Sequence, residues 1–406
     1  MAERLGWVGQ PDQRGTSDII WSCVLALFIC LWAMLHLNVP ARSESQWSWI
    51  CRKARHMLLG AVLPEIPSSV AIGQWASARR SVADMKAAGH EGWTMVHAFY
   101  VEMGGFLLQT TQQPSFPPFP ISPKQFQYLL DHGYVGRPSI TKKEILDKSK
   151  ADTVIKLFAF VQILWLIMQN IARAALNMPV STLELSTMGT VTASLVSMAA
   201  WFSKPLDVSE PTILVANTSI SDILSKAQAS AKEPYKNVPL DFIEKRDHIG
   251  MLYTRIFHID MVTKQRPLPR LPNEPDMWFD NYFTVSLTAA PFAILSGILM
   301  IGWNFSFPTS TEKTIWRVAS LTYITSLAIW GAMEIAFLMH DRYKSTWLGV
   351  MGGYKQKWPQ CLLYHVPINI SIVARLIIAG LCVAELRSLP AGCYENIEWT
   401  SFIPHL

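Results

Sequence analysis

An all-α integral membrane protein is expected, a bundle of about eight transmembrane helices, or seven if one doubtful run stays out of the bilayer. Three observations lead there. Half of the 406 residues are hydrophobic and only 16% are charged, against about 25% in an average soluble domain. Sixteen tryptophans suit a chain with two membrane interfaces to line. Seven apolar runs also approach or exceed the ~20 residues that a spanning helix needs. One integral membrane domain over residues 1–406 is therefore expected, with the lipid bilayer as its main partner. The net charge of +5 gives no sign of nucleic-acid binding.

The first run, 19–39, lacks a short apolar core followed by a small-residue cleavage site, so it reads as an uncleaved anchor. Residues 57–76 are the doubtful candidate. Pro64 and Pro67 interrupt their helical hydrogen bonds, and Glu65 between them would cost about 2.5 kcal/mol or more if charged at a helix centre. The run 93–109 is short, and 155–177, 183–202, 283–303, 314–338 and 362–386 complete the set. Basic residues arbitrate. If 57–76 crosses, loops 40–56, 110–154, 203–282 and 339–361 share one side and hold 24 Lys and Arg, against seven on the other. If it does not, the seven basic residues of 40–92 land opposite the other basic loops. The positive-inside bias thus favours eight spans, with 110–154 and 203–282 cytosolic and both termini on the lumenal or outer side.

Several chemistries lack their motifs. Without G-x-x-x-x-G-K-[ST] or G-x-G-x-x-G, nucleotide binding has no support. No H-E-x-x-H and no paired Cys or His spacing appears, so neither a metal nor any other cofactor is expected. The six cysteines form no C-x-x-C pair, so neither a zinc ribbon nor a disulfide framework is indicated. Asp276 and Asp280 are the nearest thing to an acidic cluster, and they are too sparse to hold magnesium against a diphosphate.

What remains is a set of ionisable residues within the runs. Glu65 falls near mid-depth of the second span and Glu102 near mid-depth of the third, in HAFYVEMGGF. His97 and Glu102 lie about 140° apart on a helix and flank one broad face, with Tyr100 between them. Arg375 sits near the middle of the last span. Glu184, Glu385 and Arg173 fall at span ends, where long charged side chains snorkel or pair. His36, Glu334 and His365 gather towards the cytosolic ends. A carboxyl kept from water favours its protonated form and can serve an apolar substrate as a general acid. Glu65 and Glu102 are thus the candidate catalytic acids, with His97, Tyr100 and Arg375 shaping the substrate pocket.

Several motifs carry a resemblance. RGTSDIIWSC at 14–23, MGGF at 103–106, EILDKSKAD at 144–152, KPLDVSEP at 204–211, FPTSTEK at 307–313 and the tail from ARL at 374 to IPHL at 406 resemble a widespread fungal family of polytopic membrane proteins. Within it the chain looks most similar to the membrane-bound terpene cyclases of ascofuranone-type meroterpenoid pathways. The resemblance implies an apolar prenylated substrate, an epoxidised farnesyl chain on an aromatic ring. It implies acid-triggered epoxide opening with capture by an internal hydroxyl, in the endoplasmic reticulum and alongside other pathway enzymes. It supplies no site residues, so those rest on depth alone. A proton-coupled transporter or a non-catalytic membrane partner of a biosynthetic cluster would also keep buried acids.

Overall fold

Apolar runs become helices here wherever no proline or glycine intervenes. The computed structural model describes residues 3–9, 14–110, 117–149, 152–227, 235, 237–243, 265–273, 282–339 and 358–397, and it is mostly helical. Strand β1 (Arg4–Leu5) precedes α1 (Thr16–Met34), α2 (Gln46–Val62), α3 (Glu65–Ala87) and α4 (Met95–Glu102). Strands β2 (Phe106–Thr110) and β3 (Phe119–Pro120) lead to α5 (Pro123–Asp131) and α6 (Lys142–Asp147). The long helices α7 (Asp152–Ala175) and α8 (Thr182–Ala200) come next, then β4 (Thr212–Ala216) and α9 (Ile220–Lys226). Helices α10 (Tyr282–Ile301), α11 (Ser310–Met339) and α12 (Trp358–Glu385) follow, and β5 (Leu389–Pro390) comes last.

Among the described residues four helices are long and apolar enough to cross a membrane, or five if α2 and α3 together form one broken span. The four lie in α1, α7, α10 and α12. On α7, Leu157, Phe158, Val161 and Met168 remain exposed, as on a helix that faces lipid. Helices α8 and α11 are long too, but carry more Ser and Thr. Helix α8 packs in the interior, whereas α11 leaves Ile315, Val318, Leu321 and Ile329 exposed on one side. On its other side α11 joins Leu185, Leu295, Leu299, Trp316, Tyr323 and Ile378 in one buried cluster.

The expected span 93–109 does not form. Its helix stops after eight residues at Glu102, about 12 Å of rise against a hydrocarbon core of ~30 Å. Gly104 ends it in the left-handed region at φ +79°, which glycine alone enters without strain. The amide of Gly105 then donates to the Tyr100 carbonyl at 2.8 Å. A Cβ on Gly105 would sit only 2.5 Å from that oxygen. The next five residues become β2, which runs parallel to β4 and antiparallel to β3. The apolar run fed a small α/β unit, not the bilayer.

Residues 57–76 do not form one straight span either. Leu63 precedes a proline and leaves the helical region, at φ −132° and ψ 67°, because the proline ring crowds the preceding backbone. Pro67 falls in the first turn of α3, where no helical partner exists for its missing N–H. The axes of α2 and α3 differ by 110° across this break.

Contacts at the helix ends define two ends of the bundle. At one end β1 pairs with β5, Arg14 meets Glu184 at 2.5 Å, and Arg387 meets Glu312 at 2.6 Å. Arg173 donates there to the carbonyls of Gly392 and Glu395, and Glu385 accepts from Thr182. At the other end lies the three-stranded sheet. Lys53 of α2 pairs there with Asp207 at 2.6 Å, and Gln74 of α3 is bonded to Lys204 at 2.8 Å. Both legs of the α2–α3 pair therefore start from the sheet end, and their junction, Leu63–Pro64, points inward.

Candidate functional site

Glu65 is the first residue of α3, so its carboxyl sits beside amides of the first helical turn that lack intrahelical partners. That turn is anchored. Ser68 Oγ donates to the Pro64 carbonyl at 2.8 Å and lies 2.7 Å from Ser197 Oγ on α8, while Ser69 Oγ donates to the Glu65 carbonyl at 2.9 Å. Two side chains from the far helices meet it. Arg375 of α12 acts by its charge on the Glu65 carboxyl, and the Tyr323 hydroxyl of α11 faces that carboxyl as a hydrogen-bonding neighbour. The Arg375 guanidinium also lies 5.9 Å from the centre of the Tyr323 ring. All three are buried, at 3%, 2% and 0% exposure.

The Arg375 Nε–H donates to the Val62 carbonyl at 3.1 Å. Beyond that bond the cluster is left open. No hydrogen bond of ordinary length reaches Glu65 Oε2, Tyr323 Oη or Arg375 Nη1 among the described residues, although Tyr323 Oη stands close enough to Glu65 to act on its carboxyl. A buried polar atom without a partner costs about 1–3 kcal/mol. The structure brings Arg375 to Glu65 and not to Glu102, and it adds Tyr323, which the sequence reading did not single out. A neutral tyrosine in an apolar helix gives no charge signal to find it by.

Glu102 belongs to a different cluster. It accepts from Ser77 Oγ at 3.1 Å, and Ser77 is twelve residues beyond Glu65 on α3, about 18 Å of rise. Beside it stands Lys204, fully buried just after α8. The Lys204 ammonium donates to the His36 carbonyl at 2.6 Å, Gln74 Oε1 at 2.8 Å and Asn38 Oδ1 at 3.2 Å. Burial pulls it down to about 7, against the opposing pull of Glu102. His36 Nδ1 lies 2.8 Å from the Met34 carbonyl, and burial holds the imidazole well below its usual range, with Lys156 and Lys204 adding to the effect. The cluster ties the ends of α1, α4 and α8 to the middle of α3. Lys204 was also missed, since in KPLDVSEP it reads as one more loop cation.

His97 and Tyr100 stand in neither cluster. His97 closes the first turn of α4: its Nδ1 accepts from Thr94 Oγ1 at 2.7 Å, and its Nε2 donates to the Ile140 carbonyl at 3.2 Å. Burial keeps it below the usual histidine range, consistent with that neutral tautomer. Tyr100 bonds through its hydroxyl to Thr212 Oγ1 at 2.9 Å and packs edge-on against Phe106, joining α4 to the sheet. Glu334, His365, Asp276 and Asp280 lie outside the residues whose side chains are described. Among the described residues no three His, Cys, Asp or Glu side chains stand close enough to hold a metal ion.

Residues 1–233 match a family described as "Family of unknown function (DUF8562)". No curated protein and no solved structure matches the chain.

Proposed function

The chain belongs to that family of unknown function, and from its site geometry we propose a membrane-embedded enzyme in which Glu65 acts as a general acid on an apolar substrate. The observation that carries this reading is the unpartnered Glu65 Oε2 at the inward break of the α2–α3 pair. Interrupted backbone at membrane depth is tolerated where it is enclosed in protein or lines a cavity. The resemblance to membrane-bound terpene cyclases supplies the finer reading, an epoxidised farnesyl chain on an aromatic ring. Glu65 gives its proton to the epoxide oxygen as a carbon–oxygen bond breaks. An internal hydroxyl adds to that carbon and returns its proton to the Glu65 carboxylate. The cyclic ether is an isomer of the substrate, and no electron leaves or enters.

Orientation follows from charge. Among the described residues, segments 35–92, 117–149, 203–227 and 265–273 lie towards the sheet end and hold 16 Lys and Arg. The terminal-strand end holds six, Arg4, Arg14, Arg173, Lys313, Arg317 and Arg387. The positive-inside rule then places the sheet end in the cytosol. We assign six crossings, α1, α7, α8, α10, α11 and α12, with α2–α3 entering and leaving on the cytosolic side, in the endoplasmic reticulum membrane. This replaces the eight-span arrangement without moving either terminus, because two expected crossings vanish together.

Microsomes from a host expressing the chain, fed a farnesyl phenol with a terminal epoxide, test the reaction. A cyclic product of unchanged mass is expected, and its absence from microsomes holding folded protein would overturn the proposal. A proton-coupled carrier is the second reading, favoured by the same buried acid; uptake of the probe without conversion would establish it.

A further inference from the structure

The Glu65 cluster contains two donors and an acid, supplied by three separate helices. Arg375 cannot swing away freely, since its Nε–H is committed to the Val62 carbonyl, which leaves Nη1 fixed in place. Tyr323 is fully buried among Trp316, Ala374 and Ile378, so its hydroxyl has no exit to solvent. Glu65 Oε2, Tyr323 Oη and Arg375 Nη1 face one another without a hydrogen bond of ordinary length, and a small polar group among them would satisfy all three. Its chemistry is constrained. An anion such as a phosphate or carboxylate would meet the Glu65 carboxyl, and a cation would meet the Arg375 guanidinium. A neutral oxygen with two lone pairs accepts from Arg375 Nη1 and Tyr323 Oη at rest, and one of these bonds gives way as Glu65 delivers its proton.

We propose that Tyr323 and Arg375 hold a single neutral oxygen, an epoxide, ether or hydroxyl, borne on an apolar prenyl chain. Tyr323 thereby sets the preference for an oxygenated chain over its plain hydrocarbon counterpart. This deepens the general-acid reading and rests on it for the substrate class. The preference has a physical basis: a site built to hydrogen-bond an oxygen leaves its own groups unpaired when the oxygen is missing.

Binding tests it without requiring turnover. The detergent-solubilised full chain is titrated with a farnesyl phenol carrying a terminal epoxide and with the same compound lacking it, and tryptophan fluorescence is read. Each hydrogen bond adds about 1 kcal/mol, so the wild type should bind the epoxide about tenfold tighter or more. Tyr323→Phe should cut that ratio about fivefold and leave the plain compound's affinity unaltered. Equal affinities in the wild type, which need no variant to observe, overturn the proposal and make the cluster a site for water only. A ratio unaltered in folded Tyr323→Phe overturns it as well. Preferential binding without product upholds the oxygen site and sinks the cyclase reading; product with equal affinities does the reverse.

Discussion

Arg375, near the middle of α12, donates its Nε–H to the carbonyl of Val62, the last residue of α2, at 3.1 Å. That carbonyl is among the last four of its helix, which have no intrahelical partner, and the turn at Pro64 removes any chance of continuing the helix. One guanidinium therefore caps α2 and fixes its own free Nη1 beside Glu65. The backbone break and the ionisable cluster depend on the same side chain.

Accessibility of single cysteines decides the arrangement across the membrane. Lys86→Cys at the end of α3 and Lys143→Cys in α6 should label from the same, cytosolic side, and Lys313→Cys from the opposite one. Labelling of the first two from opposite sides would restore 93–109 as a crossing and refute the inward hairpin.

Glu65→Gln removes the proton and keeps the shape. Turnover should fall on the order of 10²-fold or more, with the size-exclusion profile and melting temperature little altered. If Glu65 instead serves only to balance Arg375, stranding that cation costs about 3–5 kcal/mol. The variant would then be unstable, with normal turnover per folded molecule.

Glu102→Gln should behave in the opposite way. Weakening the bond from Ser77 and the attraction to Lys204 is expected to cost about 1–3 kcal/mol of stability. Turnover per folded molecule should fall far less than in Glu65→Gln. A stable, inactive Glu102→Gln protein would transfer the acid's role to the Lys204 cluster.

Lys204 predicts a pH dependence. Burial holds its folded-state value at about 7 against 10.5 ordinarily, so between these values the unfolded chain carries a proton that the folded one has released. Stability then rises with pH across that window and is lost as pH falls back towards 7. Denaturation in detergent at pH 7 and pH 9 should show the rise, and Lys204→Met, with Glu102 and His36 left in place, should flatten it. An equal rise in the variant would assign the effect to other groups.

Much of this was legible in the sequence because the bilayer imposes a length. The runs at 19–39, 155–177 and 283–303 each became a long helix near the expected position. The run 93–109 misled because a sheet strand buried on both faces is as apolar as a short span. Only the paired glycines after Met103 hinted at a stop, and glycine is common in spanning helices too. Glu65 and Arg375 were found because charge in an apolar run is conspicuous. Tyr323 was not, since its importance lies in a hydroxyl left unpartnered by the packing of three helices. His97 and Tyr100 were grouped with Glu65 through an expected third span, and when that span became α4 and β2, His97 went to the start of α4 and Tyr100 to the sheet.

Strand β2 finds its parallel partner β4 only after α7 and α8 have been made, about a hundred residues later. At roughly 5–20 residues per second of synthesis, its edge waits about 5–20 s, bare, while two hydrophobic helices are threaded into the membrane beside it. During that interval the newborn chain offers an apolar ribbon to any passing strand. Its yield in a cell should therefore follow the speed of translation and the supply of chaperones at least as closely as the stability of the finished molecule.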